Sequence, residues 1–196
     1  GTVPQRLAVH AGRLHDVTRQ LRLRECAPDG VGVKLGQHVR GRGGTHDFVL
    51  APGGLSVFPR LAASEHRLLS DLAVVGSGVR KLDELMGGGL ARGSNSLFSG
   101  PSGVGKTTTA VACVLAALQR GERAAYYLFD EALATLVIRA MALGMDLQAY
   151  IASGQLQIVP LDPAEVSAGE FAHMVRAAVE SDEAQVVVID SLNGYV

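Results

Sequence analysis

Gly100-Pro101-Ser102-Gly103-Val104-Gly105-Lys106-Thr107 has the spacing of a phosphate-binding loop, two glycines bracketing four residues and followed at once by lysine and threonine. Glycine lets the backbone turn tightly around phosphate with no side chain in the way. The flanks supply the context: Ser94 to Ser99 reads as a strand, and Thr107 to Arg120 as a helix of small and aliphatic residues. Backbone N–H groups and a helix N-terminus then converge on phosphate. Lys106 brings a mobile ammonium to the terminal phosphates, Thr107 offers a hydroxyl to a magnesium ion, and Thr108 extends the binding set. A glycine-rich turn with an incidental lysine is the bland alternative, and the full spacing with both flanks argues against it.

Outward from the loop, helices and strands alternate. A short helix over Val79–Met86 is stopped by Gly87-Gly88-Gly89. Beyond the loop helix, the pattern predicts a buried strand over Ala124–Phe129, a helix over Leu133–Leu143 ended by Gly144, and a helix near Leu147–Ser153. It continues with a strand over Leu156–Val159, a helix over Gly169–Ser181 and a strand over Val186–Asp190. Such alternation predicts an α/β fold with a parallel sheet covered by helices on both faces. The last strand is a continuous apolar run ending in a carboxylate, so Asp190 emerges at the carboxyl edge, where open α/β sheets bind ligands. Asp190 is expected to hold magnesium, usually through water. Asp130 and Glu131 emerge on the same edge and are candidates to polarise an attacking water, with Glu131 the first choice. The alternative is that these acids serve the orphan N–H groups of the following helix.

The 196 residues allow one domain, or a domain with part of another. Hydrophobic residues make up 47% and charged residues 19%, a globular composition. No apolar run reaches membrane-spanning length and no signal peptide opens the chain, which leads to an expected cytoplasmic location. Cys26 and Cys113 are far apart in sequence, and neither a disulfide nor a metal site is expected from them. Charge is uneven: residues 1–60 carry nine Lys or Arg against four Asp or Glu, net +5, and residues 61–196 carry net −6. A basic opening segment fits nucleic acid, an acidic neighbouring subunit or a bound phosphate; it lacks the interleaved aromatics that would favour nucleic acid. Residues 1–60 read as short strands and turns, with Val17–Leu23, Phe48–Leu50 and Leu55–Phe58 extended.

Leu82-Asp83-Glu84-Leu85-Met86-Gly87-Gly88-Gly89-Leu90, Gly93-Ser94, the phosphate loop, Phe129-Asp130-Glu131 and Asp190-Ser191-Leu192 together resemble RecA-superfamily ATPases, specifically the KaiC-like branch. The resemblance covers nearly all of residues 74–196. It implies a P-loop ATPase core that binds ATP and Mg2+ and assembles into a hexameric ring, each nucleotide lying between two subunits. Lys34, Arg40, Arg42, His46-Asp47 and Ser56-Val57-Phe58-Pro59 more loosely resemble the closing strands of such a unit, without the family's arginine at its usual spacing after Lys34. The implied organisation is a β-rich tail of one unit over residues 1–60, a linker over 61–73, and the front of a second unit over 74–196. In this superfamily a strand between the phosphate-loop strand and the Asp190 strand comes later in sequence, so this chain is expected to be poorly stable alone unless something fills that gap.

Three functions compete at this stage: a KaiC-like ATPase with a signalling partner and an autokinase activity not readable here, a RecA- or RadA-like recombination motor on DNA, and a nucleotide-dependent scaffold without turnover. The near-neutral whole chain, net −1, disfavours DNA.

Overall fold

The run from residue 123 to residue 190 folds as the sequence alternation requires. In the computed structural model, which describes residues 21–26, 30–35, 45–51, 54–61, 73–129 and 131–192, the chain divides into two compact units. One comprises residues 1–65 with 167–174, the other residues 66–166 with 175–196.

In the first unit, β1 (Leu21–Cys26), β2 (Gly30–Leu35), β3 (Thr45–Ala51) and β4 (Gly54–Phe58) form an antiparallel sheet in chain order. The extended segments expected at Phe48–Leu50 and Leu55–Phe58 lie inside β3 and β4. Of Val17–Leu23, residues 17–20 lie outside the described residues, and 21–23 open β1. His46 is buried, and its Nδ1 accepts the Arg60 backbone N–H at 3.0 Å. Asp47 accepts the Gly169 N–H at 2.6 Å, and the His173 ring lies 5.7 Å from that of Phe58.

The second unit is built on a parallel sheet of β7 (Arg123–Leu128), β8 (Leu156–Pro160) and β9 (Ala184–Asp190), in the order β8-β7-β9. Ala124 to Leu128 are all buried, and since neighbouring side chains of a strand point to opposite faces, both faces of β7 are covered. Its helices are α1 (Arg80–Leu85), α2 (Lys106–Gln119), α3 (Leu133–Ala142) and α4 (Gln148–Ala152), while α5 (Ala168–Glu180) has residues 168–174 in the first unit and 175–180 in the second. Val111, Val114 and Leu118 of α2 join Leu136 and Ala140 of α3 and Ala124, Tyr126, Leu128 and Leu156 of the sheet in one core cluster. These helices match the sequence reading to within a residue or two at each end.

Ahead of α2, β5 (Val74–Val75) and β6 (Leu90–Ala91) pair antiparallel around α1. The turn into α1 is tied by Asp83, whose Oδ1 accepts the Ser77 N–H at 2.7 Å; those hydrogen bonds from Ser77 hold the Asp83 carboxyl below the usual carboxylate range. Gly89 sits at φ 133°, and a Cβ there would run into the Val75 carbonyl. Only glycine suits that position.

One expected strand is absent. Ser94–Ser99 joins no ladder, and Leu97 within it is 79% exposed. Among the described residues β9 pairs only with β7. With no neighbour to pair with, a segment holding just Leu97 and Phe98 as apolar side chains has neither ladder bonds nor a buried face to keep it extended.

Candidate functional site

The site is assembled from the ends of helices and strands, so its geometry follows from how α2 lies on the sheet. α2 packs on β7 and β9. Its C-terminal end is fixed at the amino edge: Gln155, which immediately precedes β8, donates through Nε2 to the carbonyls of Leu118 and Glu122, both at 2.9 Å. With 14 residues α2 is about 21 Å long. The 7 residues of β9 span about 23 Å. The Lys106 end of α2 therefore reaches the carboxyl edge, the edge at which β9 ends in Asp190.

The loop itself is shaped for an anion. Gly103 and Gly105 adopt φ 84° and 91°, left-handed conformations that a side chain would strain. Gly105 is the N-cap of α2 and has no side chain to satisfy the first helical N–H groups, which stay available to phosphate oxygens. Gly100, Pro101, Ser102, Gly103 and Val104 are exposed, and Gly105 to Thr108 are half-buried. Lys106 is folded onto its own loop: Nζ donates to the carbonyls of Gly100 and Pro101, both at 2.8 Å. The ammonium is thus held within the loop.

Asp190 lies level with the end of β7: its register partner is Leu128, and its carbonyl accepts the Phe129 N–H at 2.8 Å. Its Oδ2 accepts a hydrogen bond from the Tyr126 hydroxyl at 2.8 Å. Burial, together with the adjacent Asp190 carboxylate, pushes the Tyr126 hydroxyl well above the usual tyrosine range, so it is a neutral donor. The Thr107 hydroxyl and the Asp190 carboxylate are hard oxygen donors, the chemistry that magnesium prefers, and one or two protein oxygens completed by water and phosphate is its usual arrangement. The donor set fits the ion.

Glu131 follows β7 by three residues. Its carboxylate is gripped at both oxygens by the Arg139 guanidinium, Oε1 to NH1 and Oε2 to NH2, each at 2.7 Å. It does not cap α3, whose N-cap, Ala132, has no side-chain cap bond. Asp130 lies outside the described residues, as do Arg40 and Arg42, and of Lys34 only the backbone in β2 is described. Two partners were not foreseen from sequence. Arg139 could have been suspected as a cation in the helix that follows the paired acids; Tyr126 gives no local signal, being one of two tyrosines in an apolar strand.

A concavity of about 440 Å3 lies away from this edge, lined by Arg123, Gly154, Gln155, Asp182 and neighbours at the amino ends of β7 and β8. Two of its polar side chains are already spent on structure: Arg123 donates to the carbonyls of Asp182 and Gly154 at 2.7 and 3.1 Å, and Gln155 to those of Leu118 and Glu122. The phosphate loop and Asp190 are not part of it.

Comparison with known proteins gives consistent matches. The family model described as "ATPase: KaiC" matches residues 75–196. The circadian clock oscillator protein KaiC of Prochlorococcus marinus (strain MIT 9313) is 31% identical over 157 residues, 78% of this chain and 31% of that protein. The proteins of the same name from Synechococcus elongatus (strain ATCC 33912 / PCC 7942 / FACHB-805) and Picosynechococcus sp. (strain ATCC 27264 / PCC 7002 / PR-6) are 30% and 29% identical over 150 residues. Each of those matches covers 76% of this chain and 29% of the relative. The chain thus spans about three tenths of the length of the curated relatives it matches.

Proposed function

The chain belongs to the KaiC ATPase family, and on that premise we propose that it binds magnesium-ATP through residues Gly100 to Thr108, hydrolyses it, and uses nucleotide state to change contacts between copies in a hexameric ring. The observation that carries this reading is the phosphate loop capping α2 at the same sheet edge as Asp190. Backbone N–H groups of the loop and α2 hold the phosphates, and Lys106 moves from the Gly100 and Pro101 carbonyls to the terminal phosphate oxygens. Thr107 and Asp190 hold magnesium, which when bound offsets negative charge on the phosphates. Glu131, with Asp130 beside it, orients the water that attacks the terminal phosphorus while ADP leaves. Arg139 fixes Glu131 until that step.

By the same resemblance, residues 1–60 form the closing strands of a preceding ATPase unit and residues 74–196 the front of a second. Output goes to a signalling partner or to autophosphorylation. The relatives' printed name, a clock oscillator protein, favours regulation over DNA transactions.

The test is magnesium-ATP binding and turnover by the full-length protein, with and without DNA, beside its Lys106→Ala variant. Lys106-dependent turnover indifferent to DNA supports the proposal. Stimulation by DNA severalfold moves the recombination motor ahead, and binding without turnover leaves a nucleotide-dependent scaffold.

A further inference from the structure

Tyr126 is only 1% exposed, yet its hydroxyl is not idle: it donates to Asp190 Oδ2 at 2.8 Å. A phenylalanine would fill the same apolar space on β7, and a buried hydroxyl is costly unless bonded. Its register partner on β9 is Val188, two residues before Asp190, so the ring runs along the sheet face towards the carboxyl edge and delivers its donor to the carboxylate. A hydrogen bond to an ionised acceptor is stronger than a neutral one. It stops the carboxylate from turning about its last side-chain bond, engages Oδ2, and leaves Oδ1 as the oxygen for a further ligand.

From this juxtaposition we propose that Tyr126 is a positioning residue for the magnesium site, holding Asp190 in the one orientation in which Oδ1 serves the metal or its water. The inference rests on the reading of Asp190 as a magnesium holder. Partners that orient a ligating carboxylate from behind typically contribute ten- to a hundredfold to metal affinity.

The experiment measures equilibrium binding of a fluorescent ATP analogue to the full-length protein while magnesium is titrated in, and again with chelator present, for wild type, Tyr126→Phe, Asp190→Asn and the double variant. Tyr126→Phe is expected to raise the magnesium concentration at half-saturation about tenfold and to leave binding in chelator unchanged. Asp190→Asn should raise it at least as far, with no further change on adding Tyr126→Phe. If Asp190→Asn shifts the titration and Tyr126→Phe does not, the positioning role is overturned and the Asp190 reading survives. If Asp190→Asn has no effect, the reading beneath the inference fails and the inference with it. Thermal unfolding of each variant closes the remaining route: a lowered midpoint for Tyr126→Phe with an unchanged magnesium titration makes the hydroxyl a packing group and overturns the proposal.

Discussion

Lys106 illustrates how far a single residue can be argued. Its ammonium is exposed and bonded only to carbonyls of its own loop, so truncation removes little from the fold, whereas phosphate binding loses charge-assisted bonds. Lys106→Ala should therefore weaken ATP binding by about 2 to 3 kcal/mol, read by calorimetry. Its thermal unfolding should stay within about 0.5 kcal/mol of wild type. The three glycines at 87–89 separate into different cases. Gly87 has φ 74° and open space around it, so alanine there costs about 1 kcal/mol of left-handed strain. At Gly89 the added methyl also strikes the Val75 backbone, so Gly89→Ala should cost more than about 2 kcal/mol, and denaturant titration of the two variants should rank them in that order. Sequence made the site legible where chemistry is covalently ordered: the loop spacing and the carboxylate ending an apolar run carry their meaning in adjacent residues. It could not show that Tyr126, 64 residues before Asp190, meets it, nor that Arg139 grips Glu131 at both oxygens, because those pairings exist only after the strands are in register and the helix is docked.

At the scale of elements, the corner joining α2 to β7 is held by Glu122. Its carboxylate pairs with Arg120 at 3.0 Å and with Arg92, and those guanidiniums, Arg120 foremost, hold its pKa below the usual carboxylate range. A depressed folded-state pKa means that the native state holds the proton less tightly than the unfolded chain does. The stabilisation is then complete above the unfolded value of about 4.3 and is lost as pH falls through the lower folded value. Comparing unfolding midpoints of wild type and Glu122→Gln, the gap should be constant from neutral pH down to about 5 and close progressively below about 4. A gap that persists in strong acid would assign the effect to packing instead. The same scale shows why elements differed in legibility. α2 to α5 and β7 to β9 carry period and apolar density enough to be read locally. β2 was not foreseen, because Gly30-Val31-Gly32-Val33-Lys34-Leu35 sets two glycines and a single lysine against its apolar residues, a weak local signal, and pairing with β1 on one side and β3 on the other makes it a strand. Ser94–Ser99 failed in the opposite direction: its extended reading depended on a neighbour, and none of the described strands pairs with it.

For the molecule as a whole, the charge split between residues 1–60, net +5, and residues 61–196, net −6, becomes a prediction about association. If copies of the chain meet by opposite charge, attraction between exposed groups is screened within about 8 Å at physiological ionic strength and within about 3 Å at 1 M. Magnesium-ATP should then promote a larger assembly in sedimentation at low salt, and the assembled fraction should fall as salt rises towards 1 M. Lys106→Ala should need a higher nucleotide concentration to reach the same assembled fraction, since its ATP affinity is reduced. Were the basic segment instead a nucleic-acid surface, salt would act on a different equilibrium. DNA affinity would fall steeply and log-linearly with salt, with a slope set by the number of phosphates neutralised. Assembly itself would be nearly salt-indifferent. Measuring both on one preparation separates the two, because nine basic residues diluted by four acids and without interleaved aromatics have little to offer single-stranded bases, whereas residues 61–196 of a neighbouring copy carry the opposite net charge, −6 against +5. The expected result is a salt-sensitive, nucleotide-dependent assembly whose turnover is unchanged by added DNA.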